Sequence, residues 1–323
     1  MAAAHGNTEA QSTYKELQSA LHRLGCPPNY PNVTLFSVFT SPVGGRGLKA
    51  VKDIPRGTPI ICEKELFWVV NGTVGAIQAR DPHFQALFCP PNNPTPQGRF
   101  EANRFQMGKD TEGRQKEGIF EKASRLNHSC VPNAYFAWNY KSRRLTVHAI
   151  VDVPKDAEIF VNYCADEHLM DRQQRQQGLG SYQFNCTCQA CQPNTNFGMA
   201  SAQRRQEMQT LDTRIDNNAN NTLPVERSQQ LIDIKAFSLL LQQEGLFYPQ
   251  LADVYQLEVS WYIREIEQFA DGTGSTRYRM GLLEEALEVA RKQLEWDVAC
   301  TGHDSPEVKK TSRTLKVICG LGQ

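Results

Sequence analysis

The residues of this chain best suited to chemistry include a cysteine triplet, formed by Cys186, Cys188 and Cys191. Three thiolates at such short spacings can supply three of the four tetrahedral ligands of a zinc ion, because a short turn of backbone wraps the metal. Three unrelated buried cysteines are the alternative, which the close spacing disfavours. The triplet therefore predicts a zinc site that needs a fourth ligand from elsewhere in the chain.

Several side chains outside the triplet are candidates for that fourth ligand. Cys130 is the first candidate, and Cys164, His128 and His168 are its rivals. A lone cysteine is more often a small buried hydrophobic residue than a metal ligand. The residues alone therefore leave the choice open.

Three further motifs carry polar or flexible residues at suggestive positions. One is a polar run with a rigid turn, Asn127-His128-Ser129-Cys130-Val131-Pro132-Asn133. Another is a strand-like segment that ends at Tyr163, and the third is a glycine-rich turn at Gly44 and Gly45. Each has an ordinary structural explanation, since Asn and Ser satisfy turns, tyrosines pack at strand ends, and glycines allow tight backbone.

The elements that must position these motifs change character along the chain. Residues 31–70 and 123–192 are rich in β-branched and aromatic residues between turn signals, which is typical of strands. Between them, Gly, Pro and Asn punctuation and a charged stretch favour an insertion of loops with one helix. The segments 50–60 and 149–159 echo each other, and each predicts a strand, a proline-initiated turn and a second strand.

From about residue 200 the apolar period becomes helical. Stripes begin at Leu231, Leu251 and Leu283, Gly245 marks a stop, and Pro249 marks a start. The run from Asp304 opens a last helix with a cap and a proline in its first turn. Successive amphipathic helices with short links predict an antiparallel helical array, either a substrate-facing surface or a packing buttress. The fold class is therefore α+β, with a β-rich part followed by an all-α part.

The bulk properties restrict the classes of function. The chain has 323 residues, no net formal charge and ten cysteines. A neutral balance gives no overall field that would draw the protein to nucleic acid or an anionic membrane. The first residues lack the basic and apolar regions of a secretory signal, and no apolar run is long enough to span a membrane. We expect an intracellular protein with free or metal-bound thiols, in the cytoplasm, the nucleus or both.

The order of the four motifs resembles that of SET-domain protein lysine methyltransferases. The similarity covers about residues 33–192 and is greatest to the SET-and-MYND branch and its fungal-type relatives. It implies a β-rich SET fold with a pseudoknot-like strand crossing, a post-SET zinc site, and a C-terminal TPR-like helical domain. The implied segments are a leader at 1–30, SET parts at 31–70 and 123–170, an insertion at 71–122, a post-SET segment at 171–195 and a helical domain at 196–323.

The resemblance also implies roles for individual residues. Tyr163 matches the catalytic tyrosine beside the transferred methyl group. Cys130 joins the triplet in the post-SET zinc site. The positions that match cofactor-binding residues are Gly44, Gly45, Arg46, Asn127, His128, Tyr182 and Phe184. The implied cofactors are S-adenosylmethionine as methyl donor and one structural Zn²⁺.

Some positions depart from the pattern of the branch. Between Cys62 and Cys130 only Cys89 occurs, so no MYND zinc finger fits there. Gly44 stands where relatives often carry a basic residue, and Asn162 and Cys164 are unusual neighbours of Tyr163. We expect these differences to bear on cofactor affinity and on product specificity.

Three hypotheses for the function follow from the motifs and the resemblance. The first is an active methyltransferase that modifies an exposed lysine of a protein or peptide, histone or not, and acts as a monomer without direct contact with nucleic acid. The second is a catalytically silent SET-like module that binds partners through its helical part. The third is an S-adenosylmethionine-dependent enzyme that acts on a small molecule.

Overall fold

The computed structural model describes residues 34–76, 78–164, 169–218, 224–268 and 276–321. These residues divide into two compact units along the chain. We call the part up to Ala202 the β-rich unit and the part from Gln203 the helical unit. The expected leader at 1–30 lies outside the described residues. The α+β class is confirmed, because strands dominate the first unit and helices form the second.

The described part of the β-rich unit contains ten strands in four small sheets. The strands are β1 Phe36–Thr40, β2 Arg46–Ala50, β3 Pro59–Glu63, β4 Phe67–Val70, β5 Phe105–Lys109, β6 Gln115–Ile119, β7 Asn127–His128, β8 Ala134–Asn139, β9 Arg144–Ala149 and β10 Phe160–Val161. The sheets are β1-β2, β3-β9-β8, β4-β6-β5 and β10-β7, and only the last pair is parallel. Most of their apolar faces share one large core, in which Leu48, Leu145 and Ile159 are fully buried. A second, smaller core joins Val69 of β4 and Ile119 of β6 to the buried rings of Phe84 and Phe100.

The two echoing segments pair with each other. Ile54 and Val153 exchange both backbone hydrogen bonds at 2.8 Å. Across this pair the backbone N–H of Lys155 donates to Asp53 Oδ1, and that of Arg56 donates to Asp152 Oδ1, both at 2.8 Å. The repeated sequence therefore produces a nearly symmetric corner, in which each aspartate holds the turn of the other copy.

The segment 71–122 is more regular than a loop insertion. It contains α1 Pro82–Gln85 and α2 Pro96–Asn103, but also the strands β5 and β6. The interpretation of loops with one helix is therefore wrong for residues 105–119. The charged strand β6 pairs on both sides, with β4 and with β5, and its Glu117 forms an ion pair with Arg104. Tertiary pairing thus overrides a local composition that disfavours strands.

The helical unit contains long helices in chain order. They are α4 Asn196–Asn218, which starts in the β-rich unit, α5 Pro224–Glu244, α6 Gln250–Gln268, α7 Thr276–Thr301 and α8 Pro306–Leu321. The preceding α3, Arg172–Gly178, belongs to the β-rich unit. Consecutive helices from α5 to α8 pack against one another, as expected of an array. The TPR-like character stays a prediction.

The helix boundaries follow the expected signals. Helix α5 ends before Gly245, which has a φ of 82°, and α6 begins directly after Pro249. Ser305 caps α8, because its Oγ accepts from the backbone N–H of Val308 at 3.1 Å. The helix α4 has no clear apolar stripe in the sequence and was not predicted as a separate element. None of the described helices combines the length and the apolar character that crossing a bilayer requires.

Candidate active site and metal centre

The parallel pairing of β7 with β10 brings two of the sequence motifs together. The backbone N–H of Ser129 donates to the carbonyl oxygen of Val161 at 3.0 Å. Asn133 fixes the same crossing with its side chain, accepting from the Phe160 N–H at 2.7 Å and donating to the Glu158 carbonyl at 2.8 Å. The polar run and the strand before Tyr163 therefore form one rigid crossing.

Glu158 links this crossing to the glycine-rich turn. Its Oε1 accepts from Asn127 Nδ2 at 2.7 Å, and its Oε2 accepts from Ser41 Oγ at 2.8 Å. A Cβ at position 47 would overlap Glu158 Oε1, so a side chain there would require the Glu158 carboxylate to move away from Asn127. Glu158 is not among the residues predicted from the sequence. Its only signal there was its place five residues before Tyr163 on the same strand-like segment.

The glycine-rich turn closes between β1 and β2. Backbone hydrogen bonds join Ser41 to Gly45 at 3.0 Å and Gly44 to Ser41 at 3.2 Å. Gly44 and Gly45 have φ values of 129° and 61°, which side chains other than hydrogen rarely allow. Space around both Cα atoms is open, and the side chain of Arg46 is exposed. The Arg46 carbonyl lies 3.4 Å from Asn127 Nδ2, so the turn and Asn127 are neighbours.

Tyr163 lies where the strand crossing ends. Its hydroxyl donates to the carbonyl oxygen of Leu126 at 2.5 Å, and its backbone N–H donates to His128 Nδ1 at 3.0 Å. Burial raises the pKa of the phenol, and the nearby Tyr182 and Glu158 add to the effect. Tyr163 therefore stays protonated at neutral pH. It is a neutral donor and acceptor, and not a general base.

Two aromatic residues from the segment before the cysteines pack on Tyr163. The ring centroids of Tyr163 and Tyr182 are 4.7 Å apart, and Phe184 meets Tyr163 edge to face at 6.3 Å. Between them Gln183 has a φ of 59°. His128 completes the cluster, with its ring 5.3 Å from that of Tyr163 and 6.0 Å from that of Phe184. The structure thus brings Tyr163, His128, Tyr182 and Phe184 into one aromatic cluster.

The four cysteines expected at the metal site converge. The sulfur atoms of Cys130, Cys186, Cys188 and Cys191 all lie within 4.8 Å of one another. Cys130 Sγ is 3.9 Å from Cys186 Sγ and 3.6 Å from Cys191 Sγ. Four sulfurs at tetrahedral zinc bonds of about 2.3 Å would lie about 3.8 Å apart. The spacing of the sulfur atoms is therefore compatible with a tetrahedral zinc ion.

The two described rivals for the fourth ligand, His128 and Cys164, lie outside this set. His128 contacts Cys130 instead, with Nε2 3.3 Å from its Sγ. Because Nδ1 accepts from Tyr163, a neutral imidazole carries its proton on Nε2, directed at the sulfur. Cys164 packs against the cluster without joining it, and His168 lies outside the described residues. His128 therefore connects the thiol cluster to the backbone of Tyr163.

Mutual hydrogen bonding pulls the pKa values of the four thiols apart. The pKa of Cys130 is raised, chiefly by Cys186, and the pKa of Cys186 is also raised. The pKa of Cys188 is lowered, chiefly by Cys130, and Cys130 also lowers the pKa of Cys191, to about 6. Closely packed thiols cannot all ionise together unless a cation is present. The donor set is thus the kind that a divalent metal ion stabilises.

Helix α3 supports the thiol cluster from one side. Gln176 brackets Cys186, donating to its carbonyl at 2.9 Å and accepting from its N–H at 2.8 Å. Arg175 is buried and directs its guanidinium at Cys191 Sγ, 3.5 Å away. Burial lowers the pKa of Arg175, but the thiols of Cys130 and Cys191 raise it and prevail. Neither residue was predicted from the sequence, because a helical Arg-Gln pair ordinarily indicates a solvated surface.

The model of the SET domain matches residues 45–164, from the glycine-rich turn through the strand crossing to Tyr163 and its neighbour Cys164. Residues 45–164 of the β-rich unit are therefore similar to the SET domain. The predicted resemblance to SET-domain proteins is confirmed.

Relatives with similar sequences bear the names of lysine methyltransferases. The histone-lysine N-methyltransferase set5 of Schizosaccharomyces pombe is 30% identical over 164 residues, covering 49% of this chain and 50% of that protein. The protein-lysine N-trimethyltransferase SMYD5 of Mus musculus is 32% identical over 108 residues, covering 30% and 26%. The chain thus spans half or less of the length of these relatives. They agree with the predicted SET-and-MYND branch.

Among solved structures, the SET domain of LSMT bound to lysine and AdoHcy aligns with 95% of this chain and 91% of its own. The sequence identity is 12% and the TM-score is 0.30. Similarity at that level adds nothing to the family match.

Proposed function

We propose that this chain is a protein-lysine methyltransferase that uses S-adenosylmethionine as methyl donor. The observation that carries the proposal is the environment of Tyr163. A neutral phenol is tied to a backbone carbonyl and enclosed by Tyr182 and Phe184 directly beside the strand crossing. The names of the relatives support lysine as the acceptor. The substrate is a protein or peptide with an exposed lysine, in the cytoplasm, the nucleus or both.

Methyl transfer to an amine depends more on the alignment of the two reactants than on acid or base catalysis. When bound, the cofactor would supply a sulfonium methyl group, whose carbon a neutral amine would attack in line while the carbon–sulfur bond breaks and the thioether leaves. The Tyr163 hydroxyl donates a hydrogen bond to the carbonyl oxygen of Leu126. Its oxygen lone pairs can therefore accept weak C–H···O contacts of about 0.5–1 kcal/mol each. A lysine amine has an ordinary pKa near about 10.4, and an aromatic channel disfavours its charged form. The chain thus orients the reactants and excludes water.

The cofactor-binding residues proposed are those of the turn, the crossing and the aromatic cluster. Gly44 and Gly45 leave open backbone for a ligand, and Arg46 follows them directly. Asn127 is held by Glu158, and His128 is held by Tyr163. Tyr182 and Phe184 would cover the cofactor and wall the lysine channel.

We also propose that Cys130, Cys186, Cys188 and Cys191 hold one structural Zn²⁺. The sulfur spacing supports this, and so does the short segment that joins Phe184 to Cys186. The metal would take no part in bond making. Its binding free energy would act as local folding energy for the segment that carries Tyr182 and Phe184. Thiol ligands suit the reducing compartments expected for this protein.

The decisive test of the function is Tyr163→Phe. We expect this variant to lose methyl transfer by about 100-fold, because a misaligned methyl group costs about that much, while it keeps cofactor binding and zinc. Tyr140→Phe is the matched control, since Tyr140 is 56% exposed in the same unit. The assay supplies labelled cofactor with a histone mixture or a cell extract and identifies modified residues by mass spectrometry. Unchanged turnover in Tyr163→Phe would remove this tyrosine from the reaction.

Calorimetry with the cofactor separates the other two hypotheses. A silent module would give neither turnover nor heat of binding in the wild type. An enzyme acting on small molecules would bind the cofactor but label only low-mass products. Labelled lysine in a protein substrate supports the proposal over both.

A further inference from the structure

One buried charge of the β-rich unit has no partner of the usual kind. Arg175 is buried, with only 5% of its surface exposed. Its guanidinium donates to the carbonyl oxygens of Met170 at 2.7 Å and Ala190 at 3.2 Å, and to Cys191 Sγ at 3.5 Å. Among the residues that the structure describes, no carboxylate accepts from it.

A buried guanidinium without a counter-charge is unfavourable. Taking an isolated charge out of water costs several kcal/mol unless an opposite charge compensates it. The nearest groups that can carry negative charge are the thiols, which become thiolates when they bind metal. Four thiolates around one divalent ion leave two negative charges in excess. A single guanidinium at hydrogen-bonding distance offsets one of them.

We propose that Arg175 is a positioning residue that supplies the counter-charge of the four-cysteine metal centre. This inference rests on the zinc site proposed above and deepens it. The guanidinium stabilises the metal-bound, fully ionised thiolates through a charge-assisted N–H···S bond to Cys191. It thereby raises the affinity of the site for zinc and favours the folded state of the segment before the cysteines.

The position of Arg175 is set by the start of its helix. Asp171 and Gln174 form a reciprocal capping box, with hydrogen bonds of 2.8 and 3.0 Å, which fixes the first turn of α3. The consecutive residues Arg175 and Gln176 then reach opposite ends of the cysteine segment, at Cys191 and Cys186. One helical turn thus holds both the backbone and the charge of the site.

The test compares Arg175→Met, Arg175→Lys and the wild type, with Arg172→Met on the exposed side of the same helix as control. Zinc affinity is measured by competition with a chromogenic chelator. We expect Arg175→Met to bind zinc about 10–100-fold more weakly, as is typical when a partner of a metal ligand is lost. Arg175→Lys should recover part of the loss, and Arg172→Met should match the wild type.

A second readout distinguishes a charge role from a merely structural one. With Co²⁺ in place of zinc, loss of the N–H donor should move the thiolate-to-cobalt charge-transfer band to lower energy in Arg175→Met. A residue that only packs would leave the band of the loaded site unchanged. Equal zinc affinity and an unmoved band in Arg175→Met would overturn the inference.

The remaining outcomes separate this inference from the proposed function. A wild type that binds neither metal refutes the zinc site itself. A wild type that binds one zinc, with Arg175→Lys no tighter than Arg175→Met, refutes the counter-charge alone. If Arg175→Met does not fold, the zinc affinity of Arg175→Lys becomes the test, because this variant keeps the positive charge. Loss of a partner of a metal ligand lowers affinity by at most about 100-fold. A larger loss of zinc affinity in Arg175→Lys would therefore contradict the proposal.

Discussion

The two units of the chain treat buried charge in different ways. In the helical unit, Arg205 is 1% exposed and is paired at 2.9 Å with Glu244, which is fully buried. Arg204 pairs with the same carboxylate at 2.7 Å. In the β-rich unit, the buried Arg175 meets two carbonyl oxygens and a thiol instead. The two buried arginines thus differ: Arg205 is neutralised by a carboxylate of its own unit, whereas Arg175 is directed at a potential metal site.

Buried and half-buried carboxylates show the same contrast. Asp297 in the helical unit accepts from Tyr248 at 3.1 Å and from Thr311 at 2.6 Å, which ties helices α7 and α8 and the segment before α6. Glu158 in the β-rich unit holds Ser41 and Asn127 beside the open glycine-rich turn. The comparison teaches that polar groups which serve only the fold are satisfied by one another. Polar groups around the candidate site, such as Glu158, instead hold the backbone and side chains that are proposed to bind the cofactor.

The largest expected effect concerns the metal centre. Cys188→Ser should reduce bound zinc from about one per chain to near zero, because one tetrahedral ligand is lost. Methyl transfer should then fall below detection, while the helical unit keeps its far-ultraviolet circular dichroism signal. Metal content by mass spectrometry checks this, with Cys89→Ser, a cysteine outside the cluster, as control. Normal zinc content in Cys188→Ser would refute the ligand set.

The next largest effect lies in the helical unit. Glu244→Gln leaves the buried guanidinium of Arg205 and the half-buried one of Arg204 without their shared carboxylate and should lower the free energy of unfolding by about 3–5 kcal/mol. Zinc content of the folded protein should not change. Denaturant titration measures the difference. Glu288→Gln removes an exposed pair with Lys292 and should cost less than about 1 kcal/mol. Loss of zinc affinity in folded Glu244→Gln would break the contrast between the units.

A third prediction concerns pH and the helical unit. Burial raises the pKa of Asp297 from 3.8 to about 6, although hydrogen bonds from Thr311 and Tyr248 oppose the shift. A raised pKa contributes stability that is complete below the unfolded value and is lost as the pH rises through about 6. Each pKa unit corresponds to about 1.4 kcal/mol, so the free energy of unfolding should fall by about 3 kcal/mol over this pH range.

Asp297→Asn should abolish this part of the pH dependence. The difference in the free energy of unfolding between about pH 4.5 and 7.5 should be smaller in the variant than in the wild type. Asp216→Asn, at an exposed position of the same unit, should leave the difference unchanged. An Asp297→Asn variant with the full pH dependence of the wild type would contradict the assignment.

The smallest expected effect belongs to Glu158. Glu158→Gln keeps one acceptor oxygen but cannot accept from both Asn127 and Ser41 as a carboxylate does. We expect cofactor binding to weaken about tenfold, which corresponds to about 1.4 kcal/mol, with zinc content unchanged. Calorimetry with S-adenosylmethionine measures the change, and Glu112→Gln, an exposed position of the same unit, is the control. Unaltered affinity would make Glu158 a purely structural group.

The motifs could be predicted from the sequence because their residues lie close together along the chain. The spacing of Cys186, Cys188 and Cys191 reports a metal site within six residues, and Ser305 with Pro306 reports a helix start within two. The choice of Cys130 over its rivals was open in the residues, because it depends on a contact between positions 56 residues apart. The strands of the insertion were missed for the same reason, since β6 is stabilised by neighbours on both sides and not by its own composition.

The sequence by itself predicted the resemblance to SET-domain proteins, the α+β order and the candidate residues of the site. Only the tertiary structure decided that Glu158 joins the turn to the crossing, that His128 connects Cys130 to Tyr163, and that Arg175 turns inward to the thiols. The reason is physical. A motif consists of residues that are close in sequence, so it can be recognised before the fold is known. Buried charges and hydrogen bonds, in contrast, are paired between segments that meet only when the chain folds.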